Sequence, residues 1–246
     1  MIKYGLIGFP LSHSFSKKFF IEKFKNENIN NVVYENFELK DLEELRLLIK
    51  NNSELKGLNV TIPYKEKALD YMDEIDNNAS NIGAINVIKI VDNKLVGFNS
   101  DYLAFKDTLR KWLKTDFQSK ALILGTGGSS RAVSQALIDL NIDHNFVSRN
   151  KKNNYLIYDD LHKKSNLFLD YNLIINSTPL GMHPKMDSYP EIPYELISEK
   201  HYLYDLIYNP EKTKFLKKGE EKGAKTKNGL EMLYLQAELS WNYWNK

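Results

Sequence analysis

The run Gly125-Thr-Gly-Gly-Ser-Ser-Arg131 lies between a short apolar strand pattern, Ala121 to Leu124, and a helix pattern with Val133, Ala136, Leu137 and Leu140 on one face. In that setting glycines let the backbone turn tightly toward a pyrophosphate, and the N–H groups that open the helix face its negative charge. Ser130 takes the place of the third glycine of the usual fingerprint and is small enough for close packing. Gly125, Gly127, Gly128, Ser129 and Ser130 are therefore candidate cofactor residues, and a dinucleotide held there would bring hydride chemistry. A plain glycine turn is the competing reading.

The end of the next strand selects the dinucleotide. An Asp or Glu there accepts from the ribose hydroxyls of NAD, whereas this chain carries Ser148-Arg149-Asn150-Lys151-Lys152. Arg149 can pair with a 2′-phosphate through its planar fork of donors, so NADP is favoured. The alternative is a surface turn with solvated cations.

A second group of polar residues occupies the first hundred positions. Ser14 and Ser16 are two apart, so in extended backbone their hydroxyls face the same way, and Asn59 and Thr61 repeat that spacing on a strand aimed at the Pro63 turn, just before Lys65. Asn86 lies on a later strand, and Asp101 follows the return arm of a hairpin. Strand ends and the turns after them are where α/β proteins collect functional groups. Singly, each has a plainer explanation: Ser16 and Asp101 as helix caps, Lys65 as a solvated lysine.

The elements that position these residues alternate between strand and helix patterns, which predicts an α/β fold with mainly parallel sheets. Strands are expected over Tyr4–Gly8, Val32–Phe37, Leu58–Ile62, Ala84–Val91 and Leu95–Phe98, the last two joined by a two-residue turn at Asp92-Asn93. Asp41 with Glu44 forms a capping-box signal, and a helix is expected from about Tyr64 to Met72. The pattern restarts after a helix from Asp101 to Leu113, with later strands at Ala121–Leu124, Asn145–Ser148, Leu173–Asn176 and Tyr202–Ile207. Two domains are thus expected, 1–100 and 101–229, with the amphipathic C-terminal helix over 230–246 packing back on the first.

The motifs, taken together, resemble the shikimate dehydrogenase family. Gly8-Phe-Pro-Leu-Ser-His-Ser-Phe-Ser16 is similar to its substrate loop, and Gly57-Leu-Asn-Val-Thr-Ile-Pro-Tyr-Lys-Glu66 to its catalytic-lysine motif. Gly83-Ala-Ile-Asn86, Gly97-Phe-Asn-Ser-Asp101, Gly125 to Ala132, Ile175-Asn-Ser-Thr-Pro-Leu-Gly-Met182, Asp205-Leu-Ile-Tyr-Asn-Pro210 with Thr213, and Gly229-Leu-Glu-Met-Leu233 with Gln236 follow in family order. The resemblance implies an N-terminal α/β substrate domain and a Rossmann-type NADP-binding domain with a cleft between them, and NADPH-dependent reduction of 3-dehydroshikimate to shikimate. By matching position, Ser14, Ser16, Asn59, Thr61, Lys65, Asn86, Asp101, Tyr208 and Gln236 would hold the substrate. Lys65 and Asp101 would be the catalytic pair, and Thr178 and Gly229 would join Ser148, Arg149 and Asn150 at the cofactor.

Two departures from the family pattern stand out. Lys17 occupies a position usually held by proline, and the stretch from Lys151 to Asp170 is short and lacks the expected amphipathic helix, leaving Lys151 or Lys152 to supply a further basic group. Two other functions compete: a quinate/shikimate dehydrogenase that uses NAD, and a catalytically idle NADP-binding module, which predicts loss of Lys65 or Asp101.

Composition bounds the rest. A net charge of +2, 42% hydrophobic and 27% charged residues describe an ordinary folded chain without a field that attracts nucleic acid. The Lys-rich stretch from Lys212 to Lys227 is interleaved with Glu211, Glu220 and Glu221 and reads as a solvated helix face. No cysteine is present, the five histidines are scattered without metal-ligand spacing, and no apolar run reaches the roughly 20 residues of a membrane helix. Pro10, Ser12 and His13 interrupt the first apolar run before a signal segment could form. A cytoplasmic protein, monomer or homodimer, with small-molecule partners and no metal, is expected.

Overall fold

The computed structural model describes residues 1–11, 15–151, 154–163 and 166–246. The chain divides into two compact units, Met1–Asp101 with Tyr234–Lys246, and Tyr102–Leu233.

The first unit opens with β1 (Ile2–Gly8), α1 (Phe15–Asn26) and β2 (Val32–Glu38). Asp41 then caps a short 3-10 turn leading into α2 (Leu45–Lys50): its side chain accepts from the Glu43 N–H, and Glu44 accepts from the Asp41 N–H at 3.0 Å, the reciprocal capping box. β3 (Leu55–Val60), β4 (Glu74–Ile75), α3 (Asn77–Ile82), β5 (Val87–Val91) and β6 (Lys94–Phe98) complete a sheet of order β2-β1-β3-β5-β6-β4.

β1, β2 and β3 are parallel and β4 is parallel to β6, but β5 is antiparallel to both β3 and β6, so this sheet is mixed within a fold whose strand pairs are mainly parallel, as expected. The cause is local. Asp92 and Asn93 both take positive φ, 49° and 63°, forming a tight turn that must return the chain antiparallel. The helix expected from Tyr64 to Met72 is a 3-10 segment over Lys67–Tyr71. It is short because the Asp73 N–H is already held by the Leu95 carbonyl at 2.9 Å, which draws the chain into β4.

Alternating side chains fill both faces of this sheet. Ile7, Leu58, Val60, Ile88 and Leu95 pack with Leu42 and Leu45 on one face; Tyr4, Leu6 and Val87 pack with Phe20, Phe24 and Trp244 on the other. Trp244 comes from the C-terminal helix. It stacks on Tyr4 with ring centroids 4.6 Å apart and donates from its indole nitrogen to the Ile88 carbonyl at 3.0 Å. Gly57 permits this approach, because a Cβ there would lie 2.3 Å from the indole.

After α4 (Ser100–Trp112), the second unit builds a sheet from β7 (Ala121–Leu124), α5 (Gly128–Asp139), β8 (His144–Ser148), β9 (Leu156–Ile157), α6 (Tyr158–Lys163), α7 (Leu167–Asp170), β10 (Leu173–Asn176), β11 (Tyr202–Asp205), α8 (Lys214–Glu220) and β12 (Lys225–Lys227). Its order is β12-β11-β10-β7-β8-β9, parallel throughout. The chain enters at the centre, winds outward one way through β8 and β9, then returns to β10 and winds the other way, which is the doubly wound Rossmann order. The segment expected to lack a helix after β8 contains the short α6, anchored by buried Leu161. The Lys-rich stretch is divided between α8 and the edge strand β12.

The final helix, α9 (Leu230–Asn245), enters the first unit at Tyr234. Phe15 and Phe19 of α1 meet the Tyr234 ring, and buried Lys23 pairs with Glu238 at 2.7 Å. Among the described residues, no helix is long and apolar enough to cross a membrane.

Candidate active site

In the first unit the ends of β3 and β6 carry the reactive side chains. Beyond β3, the Thr61 N–H donates to the Ile7 carbonyl at 2.9 Å, and the Tyr64 N–H closes a turn on the Thr61 carbonyl at 3.0 Å. The buried Tyr64 side chain donates to the Leu39 carbonyl at 2.6 Å, so Lys65 leaves from a backbone held on both sides. The Lys65 carbonyl itself accepts from Ile85 at 2.8 Å.

Beyond β6, Asn99 donates to the Ala84 carbonyl at 2.9 Å, and α4 begins at Ser100 and Asp101. The outcome is a short ion pair. Lys65 Nζ lies 2.6 Å from Asp101 Oδ2, with the two side chains only 17% and 10% exposed. A hydrogen-bonded pair of opposite charge at that depth holds an ammonium with its protons in defined directions.

The first unit also carries Ser16 on α1, Thr61, Asn86 and, on α9, half-buried Gln236. Asn59 is buried and heavily committed: its Oδ1 accepts from the Tyr34 hydroxyl at 2.9 Å, and its Nδ2 donates to Ser240 Oγ at 2.9 Å and to the Asn86 carbonyl at 3.3 Å. Burial also raises the Tyr34 phenol well above its ordinary range, so it is a neutral donor. Tyr34, Ser100 and Ser240 were not singled out from the sequence; the one available signal was that Ser240 lies one helical turn beyond Gln236. Ser14 lies outside the described residues. Tyr208 lies in the second unit, partly buried after β11, where burial raises its phenol pKa.

In the second unit, β7 and β10 are the neighbours at which the winding reverses, the place where open α/β sheets bind ligands. Gly125, just past β7, has φ +112°, and a Cβ there would come within 2.8 Å of Ser177 Oγ and 3.1 Å of Thr178 Cγ2. Glycine is required there on both counts. Gly127 precedes α5, and among the described residues no heavy atom beyond its chain neighbours lies within 4 Å of where its Cβ would stand, so the space there is open. Ser130 is buried and bonds back to the Gly127 carbonyl at 2.5 Å, tightening the first turn around Gly128 and Ser129.

At the end of β8, Ser148 Oγ accepts from the Asn150 N–H at 3.3 Å, and Arg149 is exposed. Lys151 is exposed beside it, and Lys152 lies outside the described residues. An open helix start beside a glycine turn, with a guanidinium at the neighbouring strand end, fits a dinucleotide carrying a 2′-phosphate.

The floor of this region is set by a buried carboxyl. Asp205 accepts from Asn176 Nδ2 at 3.0 Å, from the Ile207 N–H at 3.0 Å and from the Thr213 hydroxyl at 2.6 Å. It joins the ends of β10 and β11 to Thr213, the N-cap of α8. Burial pushes its pKa up to about 7 against the pull of those three donors. Asn176 also accepts from the Thr178 hydroxyl at 2.6 Å, which fixes Thr178 near Gly125. Gly229 is held by its N–H on the Ile207 carbonyl at 3.0 Å.

Residues 6–88 match the family model described as the shikimate dehydrogenase substrate binding domain. The shikimate dehydrogenase (NADP(+)) of Methanococcus aeolicus is 37% identical over 98% of this chain and 90% of its own length. Shikimate dehydrogenase 1 from Peptoclostridium difficile superposes with a TM-score of 0.86 at 38% identity, over 100% of this chain and 92% of that one. The shikimate 5-dehydrogenase of Thermus thermophilus, solved in complex with NADP(H) and shikimate, gives a TM-score of 0.82 at 28% identity, over 99% and 93%.

Proposed function

The chain belongs to the shikimate dehydrogenase family, and from that premise we infer that it catalyses the reversible NADPH-dependent reduction of 3-dehydroshikimate to shikimate, a step of aromatic amino-acid biosynthesis. The observation that carries this reading is the Lys65–Asp101 pair at 2.6 Å, placed at the strand ends of a unit lined with hydroxyl and carboxamide side chains.

The bound dinucleotide would supply the hydride that reduces the ketone carbon, becoming NADP+. The chain's own task is to manage the oxygen. Negative charge builds there as the carbon is reduced, and the Lys65 ammonium stabilises it and delivers a proton from Nζ, so that C=O becomes CH–OH. Asp101 holds that ammonium in line and accepts from a substrate hydroxyl. Ser14, Ser16, Asn59, Thr61, Asn86, Tyr208 and Gln236 hold the remaining hydroxyls and the carboxylate. Asn59 offers mainly the second lone pair of Oδ1, since its amide protons are spent on Ser240 and Asn86.

Gly125, Gly127, Gly128, Ser129 and Ser130 would hold the pyrophosphate and Ser148, Arg149 and Asn150 the phosphorylated ribose, with Thr178 and Gly229 also at the cofactor. Residues 1–100 with the C-terminal helix serve as the substrate domain and 101–229 as the NADP domain. The setting is the cytoplasm, and the active species is a monomer or homodimer. Incubation with NADPH and 3-dehydroshikimate, followed by chromatography, tests the reading: shikimate must accumulate in step with NADPH loss, and its absence overturns the assignment.

A further inference from the structure

A buried hydrogen-bonded chain with no charged member ties the substrate residues Asn59 and Asn86 of the first unit to α9. At its centre Ser240 Oγ, fully buried on α9, lies 2.9 Å from Asn59 Nδ2, 3.2 Å from Ser100 Oγ and 2.8 Å from the Gln236 carbonyl. A serine hydroxyl has one proton and two lone pairs. The Gln236 carbonyl can only accept, so Ser240 gives its proton there. The Asn86 carbonyl, which can only accept, fixes the amide nitrogen of Asn59 on the side facing Ser240. The first lone pair of Ser240 is therefore taken by Asn59, and Ser100 must donate to the second.

Ser100 in turn accepts from Asn86 Nδ2 at 2.8 Å, while its N–H donates to Asn86 Oδ1 at 2.7 Å. At the other end, the Tyr34 hydroxyl donates to Asn59 Oδ1 at 2.9 Å. Each bond of the chain thus has one donor, and the chain connects β2, β3, the entry to β5, the start of α4 and α9.

We propose that Ser240 is a positioning residue for the substrate: its hydroxyl sets α9, and with it Gln236, against Asn59, Asn86 and the Ser100–Asp101 start of α4. This rests on the substrate reading given above. The cofactor residues lie in the second unit, so the effect of losing the hydroxyl is confined to the substrate side.

Steady-state kinetics of Ser240→Ala test this, with Tyr34→Phe as an independent cut in the same chain. Each variant is expected to raise KM for shikimate about 10-fold, as loss of one buried hydrogen-bond acceptor or donor would do, while KM for NADP stays within about twofold. The double variant is expected to fall clearly short of the product of the single effects, because both cuts disable one network. Should Ser240→Ala fail to fold, Tyr34→Phe decides alone. An unchanged shikimate KM, or an equal rise for NADP, overturns the proposal while wild-type turnover keeps the functional reading intact. Absence of wild-type turnover overturns both.

Discussion

Lys65 Nζ and Asp101 Oδ2, separated by 36 residues in sequence, stand 2.6 Å apart at the ends of two strands of one sheet. Their backbones are fixed independently, Lys65 by the turn that Tyr64 anchors on Leu39 and Asp101 by the helix start after Asn99. The pair is therefore built by the fold rather than by local sequence. Lys65→Ala is expected to lower kcat by about 100-fold or more, the usual worth of a general acid with charge stabilisation, and to leave NADPH affinity within about twofold. Stopped-time kinetics with a fluorescence titration of NADPH checks both halves, and near-normal turnover would remove Lys65 from its role.

Arg149, exposed at the end of β8, is proposed to pair with the 2′-phosphate and so to select NADP. Arg149→Ala is expected to raise KM for NADPH about 10-fold or more while leaving that for NADH nearly unchanged, since only the former loses a charge-assisted contact. Parallel initial rates with the two cofactors read this directly. Equal losses for both would exclude a 2′-phosphate contact.

How much of this was legible in the sequence depended on how local the cause was. The hairpin at Asp92-Asn93 and the Asp41/Glu44 capping box were readable because a few adjacent residues dictate each geometry. The two-residue strands β4 and β9 and the three-residue β12 were not, because so short a run shows no periodicity and is placed only by its neighbour's open edge. Spacing put Asn59 on the right face, yet its partners Tyr34 and Ser240 lie 25 and 181 residues away. Nothing in the local pattern announces such a long-range pairing.

Asp205 predicts a pH dependence of stability. Its folded pKa of about 7 lies above the ordinary carboxyl value near 4. Between those values the folded protein holds a proton that the unfolded chain has released, so stability falls as pH rises from about 4 to about 7 and levels off above. The melting temperature of the wild type is expected to fall more between pH 5 and pH 8 than that of Asp205→Asn, whose side chain stays neutral throughout. Parallel curves for the two proteins would contradict this.

Asp139 offers a contrast, because it stabilises without touching the site. It accepts from the Tyr102 hydroxyl, from Lys106 at 2.7 Å and from Gln135 at 3.0 Å, tying α4 to α5, and its carboxyl is held down to about 2 by Lys106 first and Tyr102 second. Asp139→Ala is expected to cost about 1–3 kcal/mol, seen as a lower melting temperature with KM for shikimate unchanged. A variant as stable as the wild type would show that the cluster contributes nothing.

The assigned reaction is read by following the absorbance of reduced cofactor while purified protein oxidises shikimate, with NADP, NAD and quinate arms run in parallel. Rapid NADPH formation that depends on shikimate, and is far slower with NAD or quinate, is the predicted result. Activity mainly with quinate or NAD would contradict the assigned specificity, and silence in every arm would contradict the assigned reaction.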